Sequence, residues 1–400
     1  MQAVKESYLM NTYSHFPVKI VKGKGCYVWD DEGNKYLDFT SGIATCNLGH
    51  VPEPVKQALI EQLDNLWHCS NLYHIPSQEI LASLLVENSC FDQVFFCNSG
   101  AEANEAAIKL ARMYANQHKK SADIVTFTQS FHGRTLATLT ATGQEKIQHG
   151  FAPLVPGFTY LPYNDMASLE QLRKLKPAAV LFEFVQGEGG VIPADKDWLR
   201  ELAKICHSEN ILLIADEVQT GMGRTGELFA YEHYGIEPDV MTLAKGLGSG
   251  FPIGAMLAKK EVAEYFKPGT HGSTFGGNPL ATTAGIATVK QFLETDLLIS
   301  AQNQMELLKN KLIKLQSEFP WIKTVRGVGF LLGLEIDGEA DKVVKLAIKE
   351  KTLILTAGPR VIRILPPLIA TEAEIDLFIA RLKTVLAAYE HESSKISGAK

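Results

Sequence analysis

The sequence has no uncharged apolar run approaching the ~18–20 residues that a membrane helix needs, so no membrane partner is expected. It has no excess of positive charge: 39 lysines and arginines stand against 45 aspartates and glutamates, a formal net charge of -6. That balance gives no electrostatic reason to expect nucleic acid as a partner. None of the six cysteines forms a CxxC pair. A chain of 400 residues has core enough without disulfides, so the thiols are read as reduced, in a cytoplasmic protein. Repeats and low-complexity tracts do not stand out. The amino-terminal MQAVKESYLMNTYSHFPVKI lacks the basic, apolar and small-residue succession of a secretory signal. His68, Cys69 and His74 match no standard zinc spacing, and a polar loop explains them equally well, so no metal is expected.

What is present is an ordinary globular mixture, 46% hydrophobic and 21% charged, long enough for roughly two or three domains. Residues 1–50 read as short strands and turns, with a β-hairpin about Asp31, Glu32, Gly33 and Asn34. A helix follows in EPVKQALIEQLDNL, where Val55, Leu59 and Leu63 recur about one turn apart. From about residue 93 to 258, short apolar runs alternate with helical stretches: QVFFC, DIVTF, AAVLFEFV, ILLIADEV, DVMTLA and IGAMLA. Such runs suit strands buried on both faces of a parallel sheet wrapped by helices. Residues 51–284 are therefore expected to form a large α/β unit. Residues 285–400 read as helix, strands and helix, an α+β unit that packs with residues 1–50 and ends in a loose SSKISGAK tail.

Ligands of such sheets bind beyond the carboxyl ends of the strands, so the residues just after each run are the candidates. Asn98, Ser99, Gly100 and Ala101 turn from a strand into an alanine-rich helix, whose free N–H groups and dipole suit a phosphate; an ordinary Ser N-cap explains them as well. In SFHGRT, Phe131 offers a ring face for stacking and Arg134 a grip for a carboxylate, although a core Phe beside a solvated Arg is the plainer reading. Asp216 ends an apolar run, and Asp216 and Val218 share a strand face. A carboxylate beside a buried strand needs a partner, and a protonated ring nitrogen is one. Lys245 follows another apolar run and opens a Gly-rich loop; an apolar setting lowers a lysine's pKa and prepares it for Schiff-base formation. The phosphate-loop order is absent, because this lysine precedes its glycines. GMGRTG (221–226) matches a dinucleotide fingerprint, yet Asp216, Glu217 and Gln219 separate it from the apolar run and would repel or crowd a pyrophosphate.

Taken in order, NSGAEANEAAIKLAR, FHGRT, DEVQTGMGRTG, AKGLGSGFPIGAM and GSTFGGNPLA resemble the class III (ornithine-type) aminotransferases. The likeness runs from YLDFTSGIATCNLGH to VIRILPP, essentially the whole chain. It implies an α/β, fold type I, pyridoxal 5'-phosphate-dependent transferase: a mostly parallel central sheet flanked by helices, plus a smaller α+β domain from both chain ends. It assigns Lys245 as the Schiff-base lysine and Asp216 as partner of the pyridinium nitrogen. Val218 and Phe131 would cover the two ring faces, and Gln219 would lie near the phenolic oxygen. Glu217 falls in the same cofactor block without a clear role. Ser99, Gly100 and Ala101 would hold the phosphate. Ser273 and Thr274 would reach from the second subunit of a homodimer, Ser273 to substrate and Thr274 to phosphate.

The resemblance also implies the substrates. Arg134 would grip a carboxylate, and Glu188 would screen a second arginine, Arg363, until a dicarboxylate needs it. The implied reaction transfers the amine of N2-acetyl-L-ornithine to 2-oxoglutarate, giving N-acetyl-L-glutamate 5-semialdehyde and L-glutamate, a step of arginine biosynthesis. Ile43 stands where ornithine-specific relatives typically carry a Tyr, which leans toward an acylated α-amine. Ornithine, succinylornithine and other ω-amines stay open as donors. A nicotinamide oxidoreductase built on GMGRTG, or a catalytically silent relative, are the readings of other classes.

Overall fold

A computed structural model describes residues 8–397. Residues 1–7, where the reading of the amino terminus begins, and 398–400, the end of the expected tail, lie outside the described residues.

All six apolar runs become strands of one seven-stranded sheet. Its order is Gln93–Cys97, Gly254–Ala258, Val240–Leu243, Leu212–Asp216, Ala179–Glu183, Ile124–Phe127 and Phe158–Leu161. The Gly254–Ala258 strand is antiparallel to both neighbours; the other pairings are parallel, so the sheet is mostly parallel, as expected. Ala179–Glu183, Leu212–Asp216, Val240–Leu243 and Gly254–Ala258 are buried at every position. Successive side chains serve opposite faces: Val180 and Phe182 enter one core cluster, Ala179 and Leu181 another. Each such large apolar side chain contributes about 1.5–3 kcal/mol by leaving water. The edge strand Phe158–Leu161 escapes a reading by apolar runs, because its FTYL is only half-buried over its first three residues.

The Gly100–Gln117 helix lies against this sheet through small residues, Ala103, Ala106, Ala107 and Ala111, which allow close approach to Val240 and Met256. The chain ends meet as expected: Lys35–Asp38 pairs antiparallel with Tyr27–Asp30 and parallel with Thr352–Leu353. A second, antiparallel sheet joins Ile322–Val328, Leu331–Ile336, Val361–Ile364 and Leu355–Thr356. The last helix runs Glu372–Ser397, so most of the segment expected to be loose continues the helix. Its start is held by Glu374, which accepts from the Thr371 N–H at 2.8 Å. Among the described residues, no helix is long and apolar enough to cross a membrane.

Candidate active site

Five strand ends converge on a cavity of about 400 Å³. Ser99, Gly100 and Ala101 come from the turn after Gln93–Cys97, Phe131 and Arg134 from the loop after Ile124–Phe127, and Glu183 from its own strand end. Asp216, Val218 and Gln219 follow from the central strand, and Lys245 from the loop after Val240–Leu243. The parallel strands deliver their carboxyl ends to one edge, which explains why residues scattered from Ser99 to Lys245 become neighbours.

Asp216 is 4% exposed and held at both oxygens. Its Oδ2 accepts from Asn104 Nδ2 at 2.7 Å and pairs with His132 Nδ1 at 2.8 Å, while Oδ1 accepts from the Val218 N–H at 3.0 Å. Asn104 is itself steered by Thr242, whose hydroxyl donates to Asn104 Oδ1 at 2.7 Å. These contacts satisfy a buried carboxylate and aim it. On the neighbouring strand, Glu183 lies level with Asp216. Burial, and then the Asp216 charge, push the Glu183 carboxyl well above its usual range. Glu183 Oε1 accepts from the Phe131 N–H at 2.8 Å and so places that ring.

Burial lowers the Lys245 pKa, and Arg363 works in the same direction, against Glu188, Asp216 and Glu183. Lys245 also sits at φ 40°, in the left-handed region. For a residue with a Cβ that costs about 1–2 kcal/mol, which its surroundings must hold in place.

The Ser99 N-cap starts the Gly100–Gln117 helix: its Oγ accepts from the Glu102 N–H at 3.2 Å, and Glu102 reaches back to the Asn98 N–H at 2.8 Å. The N–H groups of Gly100 and Ala101 keep no helical partner and border the cavity. Gly100 has to be glycine, because a Cβ there would lie 2.7 Å from Val218 Cγ1.

Arg363 is 2% exposed, and its Nη1 donates to Glu188 Oε1 at 2.5 Å, to Gly187 O at 3.2 Å and to Gln219 Oε1 at 3.4 Å. Arg134 sits 5.6 Å from the Phe131 ring centroid. With Glu188 and Phe131 it lines a second cavity of about 510 Å³, which shares Phe131 and Arg134 with the first. Among the described residues it has neither a carboxylate partner nor a hydrogen-bond acceptor. One arginine is thus covered and the other open.

Three sequence candidates stand elsewhere. Glu217 points away from the cavity: its Oε2 accepts from the Ala230 N–H at 2.6 Å and its Oε1 from the Tyr231 N–H at 3.0 Å, which corrects its placement among the cofactor contacts. The reason is strand alternation, since Asp216 already occupies the cavity side. Ser273 and Thr274 line a separate cavity of about 730 Å³, together with His68, Asn71 and Leu72. Asn104, His132 and Glu183 were missed. A polar Asn on the buried face of an alanine helix, and a His inside a motif already singled out, were the signals available.

Residues 8–386 match the family model described as aminotransferase class-III. The chain belongs to the class-III aminotransferases. It is 58% identical over 381 residues to the acetylornithine aminotransferase of Oceanobacillus iheyensis, covering 95% of this chain and 96% of that relative. The acetylornithine aminotransferase of Listeria innocua is 50% identical over 380 residues, covering 95% and 97%. Among solved structures, ornithine aminotransferase from Toxoplasma gondii ME49 superposes with a TM-score of 0.93 at 34% identity, covering 96% of this chain and 94% of that one. The N-acetylornithine aminotransferase from Stenotrophomonas maltophilia K279a superposes at 0.83 with 37% identity, covering 94% and 97%. Class-III aminotransferases are fold type I enzymes that use pyridoxal phosphate. The cavity of this aminotransferase fits that group: a helix start with free N–H groups, a buried carboxylate, an amine, and the flat walls Phe131 and Val218. The nicotinamide reading falls, since Arg224 of GMGRTG is buried on main-chain carbonyls and offers nothing to a pyrophosphate.

Proposed function

We propose that this enzyme transfers the δ-amine of N2-acetyl-L-ornithine to 2-oxoglutarate, giving N-acetyl-L-glutamate 5-semialdehyde and L-glutamate, as a cytoplasmic homodimer in arginine biosynthesis. The observation that carries the reading is the pair of arginines in opposite states. Arg134 is open to the one carboxylate of acetylornithine, while Glu188 covers Arg363. Glutamate and 2-oxoglutarate bring a second carboxylate, which displaces Glu188. Ile43, 42% exposed, offers no polar contact to a free α-amine.

Bound pyridoxal phosphate supplies an aldehyde for the substrate amine and an electron-accepting ring. Lys245 would hold that group through its amine and would move the proton at the carbon that bears the substrate amine; its lowered pKa leaves more free base near neutral pH. Asp216 would pair with the ring nitrogen, Phe131 and Val218 would wall the two ring faces, and Gln219 would lie near the phenolic oxygen. Ser99, Gly100 and Ala101 take the phosphate. Ser273 and Thr274 complete the site of the other subunit. The dimer reading is supported by an apolar face beside them, where Leu66, Trp67, Leu72, Tyr73 and Phe275 are 45–89% exposed.

A donor panel with 2-oxoglutarate tests the reading. Acetylornithine should be preferred over ornithine, succinylornithine and γ-aminobutyrate; faster turnover of free ornithine would replace it with the ornithine reading. Borohydride trapping followed by peptide mass mapping should label Lys245, and an unlabelled Lys245 refutes its role.

A further inference from the structure

The segment Gly221–Gly226 has no part in the chemistry above, yet it carries a cation with 0% exposure, Arg224. No carboxylate pairs with it among the described residues, and burial presses its pKa down to about 9. Neutral acceptors hold it instead. Nη1 donates to Phe330 O at 3.2 Å and Pro366 O at 2.5 Å; Nη2 donates to Asn47 Oδ1 at 2.6 Å and Ser41 Oγ at 3.3 Å. Those acceptors lie in the turn before Leu331–Ile336, the loop after Val361–Ile364 and the amino-terminal turn, so one side chain ties three distant stretches. Asn47 closes the circuit, donating through Nδ2 to Met222 O at 2.6 Å.

The same amide of Asn47 occupies the space beside Gly246: a Cβ there would meet Asn47 Nδ2 at 2.3 Å. Gly246 directly follows Lys245 with its left-handed backbone. The adjoining amino-terminal turn is strained as well, with Ser41, Ile43 and Ala44 at φ 41°, 61° and 59°, and Thr45 beyond it lines the cavity. Such conformations persist only where neighbours over-determine them. A guanidinium with a rigid fork and four acceptors is suited to that; an ammonium, a mobile point charge, is not.

We propose that Arg224 is a positioning residue for Lys245: acting through Asn47, it braces the left-handed backbone at Lys245 and Gly246 and fixes the Thr45 wall of the cavity. This rests on the assignment of Lys245 as the reacting amine. The charge of Arg224 is retained without a counter-ion because the brace needs a fork of donors, and a carboxylate would draw that fork away from the carbonyls.

The test uses Asn47→Ala, Arg224→Lys and the double variant. In the apoprotein, the pH profile for acetylation of Lys245 by acetic anhydride, read by peptide mass mapping, should move upward by about half a unit or more in each single variant, as water reaches a loosened amine. In the holoenzyme, kcat should fall about tenfold for acetylornithine and for glutamate alike, with KM changed less than about threefold. The double variant should be no worse than the poorer single one, because both act on one path. Unchanged profiles and kcat in folded variants overturn the brace, and so do fully additive losses. If Arg224→Lys does not fold, Asn47→Ala decides alone. Failure to trap Lys245 with borohydride in the unaltered enzyme overturns the Lys245 assignment instead; a trapped Lys245 that is indifferent to both variants overturns only the brace.

Discussion

Replacing Glu188 by Ala probes how one cavity accepts both a monocarboxylate and a dicarboxylate. Glu188 Oε1 lies 2.5 Å from Arg363 Nη1, with side-chain exposures of 29% and 3% respectively. A charge-assisted hydrogen bond in such a setting is worth about 1.5–3 kcal/mol, and a dicarboxylate must break it to reach Arg363. Without Glu188 that displacement cost disappears for glutamate, while acetylornithine faces a guanidinium left with Gly187 O and Gln219 Oε1. The ratio of kcat/KM for glutamate to that for acetylornithine should therefore rise about 10- to 100-fold. Single-turnover half-reactions, followed by cofactor absorbance with each amino donor, measure the ratio directly. A ratio that stays within about twofold of the unaltered enzyme refutes the reasoning. Burial pushes the Glu188 carboxyl up, but the Arg363 charge and hydrogen bond outweigh it and hold it below the usual value. The pair is thus complete at neutral pH and is lost only as pH falls through that lowered value, so discrimination should persist to about pH 5.

Lys245→Ala should leave the fold intact and reduce turnover at least about a thousandfold, measured with acetylornithine and 2-oxoglutarate. Asn104→Ala removes one of the two partners of Asp216 Oδ2 and strands the Thr242 hydroxyl; it should cost about 1–3 kcal/mol in urea unfolding, and a stability equal to the unaltered protein would contradict the network. Burial raises the Glu217 carboxyl to about 8 in the folded state, so this group's stabilisation is complete below its unfolded value near 4.5 and is lost as pH climbs through 8. Glu217→Gln should remove that contribution, seen as a flatter dependence of the urea midpoint between pH 6 and 8.5; an unaltered slope would count against it. Phe275→Glu, placed on the exposed apolar face, should yield monomers in sedimentation and lose activity together with the dimer.

Much of the site was legible because polar residues at the ends of buried apolar runs are conspicuous. Asp216 and Lys245 each follow such a run, and parallel strands bring those ends to one edge. Glu217 was misplaced although strand alternation alone puts it on the face opposite Asp216. Asn104 and His132 serve Asp216 from other elements, and contacts between a helix and a distant loop leave no periodic trace in a sequence. The Phe158–Leu161 strand was hidden for a different reason: an edge position needs no continuous apolar run, and its Thr and Tyr satisfy a half-buried surface. In the proposed dimer, what Ser273 and Thr274 would reach lies on a second copy, which no pattern within one chain can express.

The sheet built from both chain ends has a consequence for synthesis. Ser41 bonds Leu365 across 324 positions, and the Lys35–Asp38 strand finds its parallel neighbour only at Thr352–Leu353. At ~5–20 residues per second, a ribosome leaves that amino-terminal strand waiting for roughly 15–65 s with an unpaired edge. The central layer can condense meanwhile, so the nascent molecule is expected to hold a nearly finished catalytic floor beneath an unclosed roof. During that interval chaperones, rather than its own last hundred residues, must shield the opening segment.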